Sequence, residues 1–207
     1  MTGNAPFSQN DYEIIERELL YQGVYRLARY HIRQRLFNGQ WSHAYTREVF
    51  ERPSAAALLP YDPQRDEVIL IEQFRAGAIA NPESPWLTEI VAGVYGVNEK
   101  PDEVAKREAK EEAGCDVFAL YPIHDYFVSA GGSNEYLHLF CGHVDTSAAG
   151  GVFGLEEENE DIRTQVLPAD EAFKQLQQGK IKTAPAIIAL QWLQLNREWL
   201  RQLWQKK

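Results

Sequence analysis

The stretch from residue 93 to residue 115 reads GVYGVNEKPDEVAKREAKEEAGC and carries the strongest pattern in the chain. Pro101 predicts the start of a helix, because its missing N–H is not needed in the first turn, and Gly114 predicts the end. The helix carries three carboxylates at i, i+3 and i+4: Glu108, Glu111 and Glu112. These side chains share one face and repel one another. Oxygen ligands favour a hard cation such as Mg²⁺ or Mn²⁺, and a solvated helix that happens to carry three glutamates is the alternative.

Short β and α patterns flank this helix on both sides. Strands are predicted over residues 55–59, 68–74, 86–91, 117–128, 136–144 and 162–166. Further helices are predicted over residues 169–178 and 185–204. The order lacks the regular βαβ alternation of a doubly wound sheet, so it indicates an α+β or layered α/β/α domain.

The first 52 residues have a β pattern of their own. Strands are predicted over residues 25–36 and 42–50, around an Asn-Gly turn at residues 38–39. Such a hairpin is marginal alone and must pack on the rest of the chain or on a second subunit. We therefore predict an N-terminal β subdomain over residues 1–52, followed by a main domain over residues 53–207.

Composition and charge narrow the class of protein. The chain has 207 residues, of which 44% are hydrophobic and 25% charged, so a packed core is expected. The formal net charge of -9 argues against a protein that coats nucleic acid, because phosphate backbones require a basic surface. The apolar runs are too short for a membrane span, and the N-terminus lacks a secretory pattern. With only 2 cysteines we expect a soluble, cytoplasmic protein.

The spacing within residues 93–115 resembles the Nudix box, which is Gly, five residues, Glu, seven residues, Arg-Glu-apolar, one residue, Glu-Glu, one residue, Gly-apolar. The matching positions are Gly93, Glu99, Arg107, Glu108, Ala109, Glu111, Glu112, Gly114 and Cys115. Other segments resemble the ADP-ribose pyrophosphatase branch of the Nudix hydrolases: residues 50–75, 85–93, 131–132, 154–162 and 186–195. The resemblance implies a mixed β-sheet sandwiched between helices, with an N-terminal antiparallel β subdomain that crosses to the partner in a swapped homodimer.

The resemblance also implies an activity, which is Mg²⁺-dependent hydrolysis of ADP-ribose to AMP and ribose 5-phosphate. Two or three Mg²⁺ ions, or Mn²⁺, would be held by the Ala92 carbonyl and by Glu108, Glu111, Glu112 and Glu160. The structural positions of the box are Gly93, Glu99, Arg107 and Gly114. The general base is Glu158 by the same resemblance, and a one-residue slip to Glu157 stays open because the segment is so acidic.

Residues that would contact the substrate follow from the same resemblance: Val24, Tyr25, Arg47, Glu48, Arg52, Arg75, Val94, Ser129, Ala130, Gly131 and Glu135. Two of them depart from the branch, since Val24 stands where an aromatic residue is usual and Ala130 where a proline is usual. The departures leave another nucleoside diphosphate sugar open as substrate. A non-catalytic ADP-ribose sensor is a second alternative, although such proteins typically lose box carboxylates. An enzyme acting on capped RNA or dinucleoside polyphosphates is a third, which the charge disfavours.

Overall fold

The computed structural model describes residues 7–155 and 159–205. The chain divides into two compact units. Unit 1 consists of Met1–Pro53 with Phe127–Glu135, and unit 2 consists of Ser54–Tyr126 with Tyr136–Lys207.

Unit 1 is a three-stranded antiparallel sheet in the order β1-β2-β3. Its strands are β1 (Tyr12–Gln22), β2 (Arg26–Gln34) and β3 (Tyr45–Glu51). Strands β2 and β3 form the predicted hairpin, with Gly39 at a φ of 81° in the connecting turn, where a glycine is favoured. Strand β1, which the sequence did not predict, pairs along most of its length with β2, so the hairpin has a third strand in its own chain.

Arginines and glutamates hold the strands of unit 1 together, and the cations of this unit are arginines without any lysine. The buried carboxylate of Glu51 accepts hydrogen bonds from Arg17 Nη2 and from the Tyr30 hydroxyl, both at 2.6 Å. These two bonds lower the pKa of Glu51 below its usual value. The segment 127–135 joins this sheet, because the Phe50 N–H donates to the Gly132 carbonyl at 2.8 Å.

Unit 2 is built on a mixed eight-stranded sheet in the order β10-β11-β5-β4-β9-β8, with β6 paired to β5 and β7 paired to β4. Its strands are β4 (Ala55–Asp62), β5 (Glu67–Phe74), β6 (Trp86–Glu89), β7 (Val91–Val94), β8 (Ala119–Phe127), β9 (Tyr136–His143), β10 (Gly151–Phe153) and β11 (Ile162–Pro168). Its helices are α1 (Pro101–Ala113), α2 (Ala169–Gln177) and α3 (Ala184–Gln205). Strands β4 and β9 are parallel, whereas β4 pairs antiparallel with β5 and β7.

Strand β4 is buried along its whole length, and its alternate side chains serve two cores. On one face Ala55, Ala57, Leu59 and Tyr61 join Phe173, Leu190 and Leu193 of α2 and α3. On the other face Ala56 and Leu58 join Val104, Ala105 and Ala109 of α1. The sheet therefore lies between α1 and the α2–α3 pair. This confirms the predicted α+β fold with a mixed sheet sandwiched between helices.

Helix α1 begins and ends where the sequence predicts. Pro101 occupies its first turn, and Gly114 caps it in the left-handed conformation at a φ of 64°. Its buried alanines let the helix approach the sheet closely. A side chain at Gly114 would also collide with the Phe153 ring, since an ideal Cβ there lies 2.5 Å from it. Glycine is thus required at this position for both conformation and space.

In unit 2 one strand prediction is wrong in detail and one strand was not predicted. The predicted strand over residues 86–91 is two strands, because the chain leaves β5 at Ile90 and pairs with β4 from Val91 onward. The short strand β10 was not predicted, and it pairs with β11 through only three residues. Among the described helices, none is long and apolar enough to cross a membrane.

Candidate active site

The first element of the site is the Glu112 side chain, which α1 buries against β7. Its carboxylate accepts a hydrogen bond from the Ala92 N–H at 2.9 Å, and its side chain is almost fully buried. Burial raises the pKa of Glu112 to about 8, and the carboxylates of Glu108 and Glu160 add to this rise. The Glu112 carboxyl group is therefore harder to ionise than a glutamate in water.

The second element is Glu108, one turn earlier on the same face of α1. Its side chain lies directly against Gly93, where an ideal Cβ would be 1.8 Å from Glu108 Oε1. Burial raises the pKa of Glu108, the guanidinium of Arg107 opposes this, and Glu111 and Glu160 raise it further. Gly93 therefore leaves room for the carboxylate next to the backbone of β7.

Arg107 and Glu99 organise the exposed side of the helix and the loop before it. Arg107 makes two ion pairs along α1, one from Nη2 to Glu108 Oε1 at 2.8 Å and one from Nη1 to Glu111 Oε2 at 2.7 Å. Glu99 accepts a hydrogen bond from the Gly96 N–H at 2.8 Å, which closes the loop that leads into α1. Arg107 and Glu99 thus contact neighbouring residues of α1 and of the loop before it, and their structural roles stay a prediction.

The donor set suits a hard divalent cation. All the side-chain donors that α1 and Glu160 bring together are carboxylate oxygens, and the Ala92 carbonyl on β7 is one more oxygen. Within residues 7–155 and 159–205, however, no three acidic, histidine or cysteine side chains are arranged as a formed metal site. The carboxylates are engaged with Ala92 and Arg107 instead, so a cation would replace those contacts.

The acidic loop is only partly described. Glu160 lies at its end, where Oε2 accepts a hydrogen bond from the Leu155 N–H at 3.3 Å. The predicted general base Glu158 and the alternative Glu157 lie outside the described residues. The assignment of the base therefore stays a prediction.

Arg75, which directly follows β5, is a predicted substrate residue of unit 2. Its positive charge opposes the rise in the pKa of Glu112 that burial causes. Its Nε donates to Glu89 Oε2 at 2.8 Å, across the β5–β6 pair. The described residues give its Nη1 and Nη2 no hydrogen-bond partner, and these atoms form the fork that recognises phosphate oxygens. Val94, at the end of β7, is half exposed.

In unit 1, three predicted substrate residues come together. The Arg52 guanidinium lies 4.8 Å from the centre of the Tyr25 ring, and its Nη1 donates to Glu135 at 3.0 Å. The ring of Phe50 packs edge-on against Tyr25 at 5.4 Å. The Arg52 N–H also donates to Asn134 Oδ1 at 2.7 Å, which ties the segment 127–135 to the end of β3.

The other predicted substrate residues of unit 1 are less closely grouped. Arg47 stacks on Tyr45 and lies on the opposite face of β3 from Glu48, which pairs with Arg29 at 3.1 Å. Val24 is almost fully exposed. Ser129, Ala130 and Gly131 form an exposed turn in which the Ser129 carbonyl accepts hydrogen bonds from the N–H groups of residues 132 and 133.

Comparison with known proteins gives the family. A family model described as "NUDIX domain" matches residues 51–189. The chain belongs to the Nudix family. It is 49% identical over 198 residues to the ADP-ribose pyrophosphatase of Escherichia coli K12, covering 96% of this chain and 95% of that protein. It is 33% identical over 155 residues to a GDP-mannose pyrophosphatase of Escherichia coli O1:K1, covering 72% of this chain and 78% of that protein.

A solved structure agrees with the Nudix fold. The crystal structure of an ADP compounds hydrolase superposes with a TM-score of 0.68 at 20% sequence identity. The similarity covers 96% of this chain and 98% of that one. At 20% sequence identity this comparison supports the fold alone.

Two contacts next to the predicted site residues were not predicted from the sequence. Glu89 accepts a hydrogen bond from Arg75 Nε. The sequence feature that could have indicated Glu89 is a carboxylate within the apolar segment PWLTEIVAG. Thr164 on β11 donates its hydroxyl to the Glu112 carbonyl at 3.0 Å, and no local pattern indicated this contact.

Proposed function

We propose that this Nudix hydrolase cleaves the diphosphate of ADP-ribose and releases AMP and ribose 5-phosphate. The observation that carries the proposal is the carboxylate stripe of α1, which meets Ala92 and Gly93 of β7 in a chain similar over nearly its whole length to an ADP-ribose pyrophosphatase. That similarity leaves only a few residues uncovered, so it includes most of unit 1. The similarity to a GDP-mannose pyrophosphatase spans less of the chain and supports a second candidate, another nucleoside diphosphate sugar.

The chemical problem is to attack a phosphorus atom that is surrounded by negative oxygens. We propose that Glu108, Glu111, Glu112, Glu160 and the Ala92 carbonyl hold two or three Mg²⁺ ions, with Mn²⁺ as a substitute. When bound, Mg²⁺ supplies positive charge for the diphosphate and makes a bound water more acidic. Arg75 is positioned for the same anion, because Glu89 occupies its Nε and leaves the terminal fork for phosphate oxygens.

The hydrolytic step needs a group that accepts a proton. The oxygen of water forms a bond to phosphorus while the bridging P–O bond breaks, and the proton of the water passes to a carboxylate. We propose Glu158 for this role on the resemblance alone, with Glu157 as the alternative. The two are separated by comparing Glu158→Gln with Glu157→Gln, since the loss of the base lowers kcat much more than it changes KM.

Recognition of the nucleoside and of the terminal ribose falls to unit 1 in this proposal. Tyr25 offers a ring for the adenine, and Arg52 beside it supplies a cation whose direction Glu135 fixes. The exposed turn with Ser129, Ala130 and Gly131 would contact the terminal ribose, and we keep Val24, Arg47, Glu48 and Val94 as further contacts. In this proposal Val24 and Ala130 are the positions on which the choice between ADP-ribose and another nucleoside diphosphate sugar depends.

We further propose a swapped homodimer formed through unit 1. Strand β1 exposes apolar side chains, among which Ile14, Ile15 and Leu19 are about half exposed. A three-stranded sheet with such a surface gains from covering it. Light scattering coupled to size exclusion measures the mass directly, and a monomer at micromolar concentration would contradict this part of the proposal. We assign the enzyme to the cytoplasm, with which two unpaired, buried cysteines are consistent.

The test of the function is a turnover screen with Mg²⁺ against ADP-ribose, ADP-glucose, GDP-mannose, NADH and diadenosine polyphosphates. We expect the highest kcat/KM for ADP-ribose with AMP as product. Glu112→Gln removes one charged ligand and should lower turnover at least about a hundredfold with the fold intact. A preference for another sugar would replace the substrate and keep the chemistry, whereas no turnover of any compound would favour the sensor.

A further inference from the structure

Two hydrogen bonds join Leu155 and Glu160 of unit 2, and we call this pair of bonded residues the neck. At this neck the Glu160 N–H donates to the Leu155 carbonyl at 3.2 Å, and the Leu155 N–H donates to Glu160 Oε2 at 3.3 Å. Asn159, immediately before Glu160, has a left-handed φ of 54° that turns the chain back. The neck therefore fixes both the backbone and the carboxylate of Glu160.

Gly154 is the residue that allows the two sides of the neck to meet. Its φ is 105°, a conformation that side chains rarely adopt. An ideal Cβ at Gly154 would lie 2.7 Å from Glu160 Cβ, 2.9 Å from its carbonyl oxygen and 3.1 Å from its carbonyl carbon. Two of these three atoms belong to the backbone, so rotation of a side chain cannot relieve the contact. A larger residue must push Glu160 away.

The position of Glu160 matters because of what it faces. Its carboxylate raises the pKa of Glu108, which is partly buried, and of Glu112, which is buried. We call Glu108, Glu112 and Glu160 the cluster. Electrostatic interactions weaken with distance, so a displaced Glu160 would interact less with the other two carboxylates of the cluster.

We propose that Gly154 is a positioning residue, whose close contact with the Glu160 backbone holds the Glu160 carboxylate at the cluster and thereby sets the affinity for divalent cations. The inference rests on the proposed function, in which Glu160 is a metal ligand. It adds a residue that touches neither substrate nor metal. Residues that orient ligands in this way typically change metal affinity 10- to 100-fold when they are replaced.

The experiment compares Gly154→Ala with Gly150→Ala. Gly150 lies on the approach to the same loop and has a similar φ of 114°, but an ideal Cβ there meets nothing within 4 Å. Both variants carry comparable backbone strain, and only the first meets Glu160. Binding of Mn²⁺ alone is titrated by electron paramagnetic resonance, kcat and KM for ADP-ribose are measured with Mg²⁺, and thermal unfolding is followed for each protein.

We expect Gly154→Ala to weaken Mn²⁺ binding about tenfold or more and to lower kcat, while Gly150→Ala stays within about twofold of the parent in both. Equal weakening in the two variants would assign the effect to strain and overturn the proposal. If Gly154→Ala unfolds at a clearly lower temperature, Gly154→Asn replaces it, because asparagine is found at positive φ more often than alanine and still carries the obstructing Cβ. Unchanged Mn²⁺ binding by the folded variant overturns the proposal as well.

Glu160→Gln distinguishes failure of this inference from failure of the function on which it rests. If Glu160→Gln weakens Mn²⁺ binding and Gly154→Ala does not, Glu160 keeps its proposed role and Gly154 loses the positioning role. If Glu160→Gln binds Mn²⁺ like the parent, Glu160 is not a metal ligand and the inference about Gly154 is overturned with it.

Discussion

A methyl group on Gly93 would collide with the Glu108 carboxylate, and the displacement follows from the contact distances. An ideal Cβ lies 1.8 Å from Glu108 Oε1 and 2.1 Å from Cδ, and real Cβ contacts essentially never fall under 3.0 Å. In Gly93→Ala the carboxylate must therefore retreat by about 1.2 Å. The obstacle is a side chain, and Gly93 is not among the glycines with positive φ, so the fold should survive with a loss of about 1–3 kcal/mol.

The same substitution should also lower the activity. A misplacement of about 1 Å in a catalytic group can cost about a hundredfold in rate, or about 2.7 kcal/mol in the activation barrier. We expect this loss in kcat/KM for ADP-ribose at saturating Mg²⁺. Gly96→Ala, in the loop that follows β7, is the control, since its Cβ would meet Glu99 Oε2 at an ordinary 3.5 Å. If Gly93→Ala folds and its kcat/KM for ADP-ribose stays within about twofold of the parent, the position of the Glu108 carboxylate does not control the rate and the reasoning is refuted.

Two further variants test single contacts. Glu89→Ala should raise KM for ADP-ribose about tenfold with little change in kcat, because Arg75 loses the partner of its Nε, and Glu89→Gln should recover most of the loss. An unchanged KM in steady-state assays would remove Glu89 from the site. Glu51→Gln should lower the free energy of unfolding by about 1–3 kcal/mol at pH 7, since Glu51 is buried and paired. The pKa of Glu51 is below its usual 4.5 in the folded state, so this stabilisation is present above about pH 4.5 and disappears as the pH falls through the folded value. Denaturant melts at a series of decreasing pH values starting from pH 7 measure this, with the exposed Glu18→Gln as control. A gap between Glu51→Gln and the parent that does not shrink as the pH falls below 4.5 would contradict the assignment.

The helix that carries the carboxylates could be predicted because its signals are local. Pro101 and Gly114 act through the backbone of their own turns, and the glutamates share a face whatever packs against them. The contact between Glu112 and Ala92 was not local, since twenty residues separate the two. The resemblance to the Nudix hydrolases predicted that Ala92 and Glu112 share one metal site. The structure adds the hydrogen bond that joins them.

The parts that could not be predicted depend on register or on pairing partners. Whether Glu89 faces Arg75 depends on how β6 aligns with β5, and the residues themselves do not encode this alignment. The break at Ile90 is similar, because an apolar run looks the same whether it keeps one partner strand or changes to another. Strand β1 was missed because most of its side chains are exposed on both faces, which leaves no alternation of buried and polar residues.

The arginine-only composition of unit 1 determines which chemical labels can reach it. All the lysines of the chain lie at residue 100 or beyond, and the segment 127–135 holds none of them. Succinimidyl esters react with amines and not with guanidinium groups. Apart from a free N-terminal amine, a dye or surface attachment of this type would modify only unit 2 and leave the Tyr25 and Arg52 neighbourhood untouched. An amine cross-linker would equally miss contacts between two copies of β1, so a negative result with such a reagent says nothing against a dimer formed there.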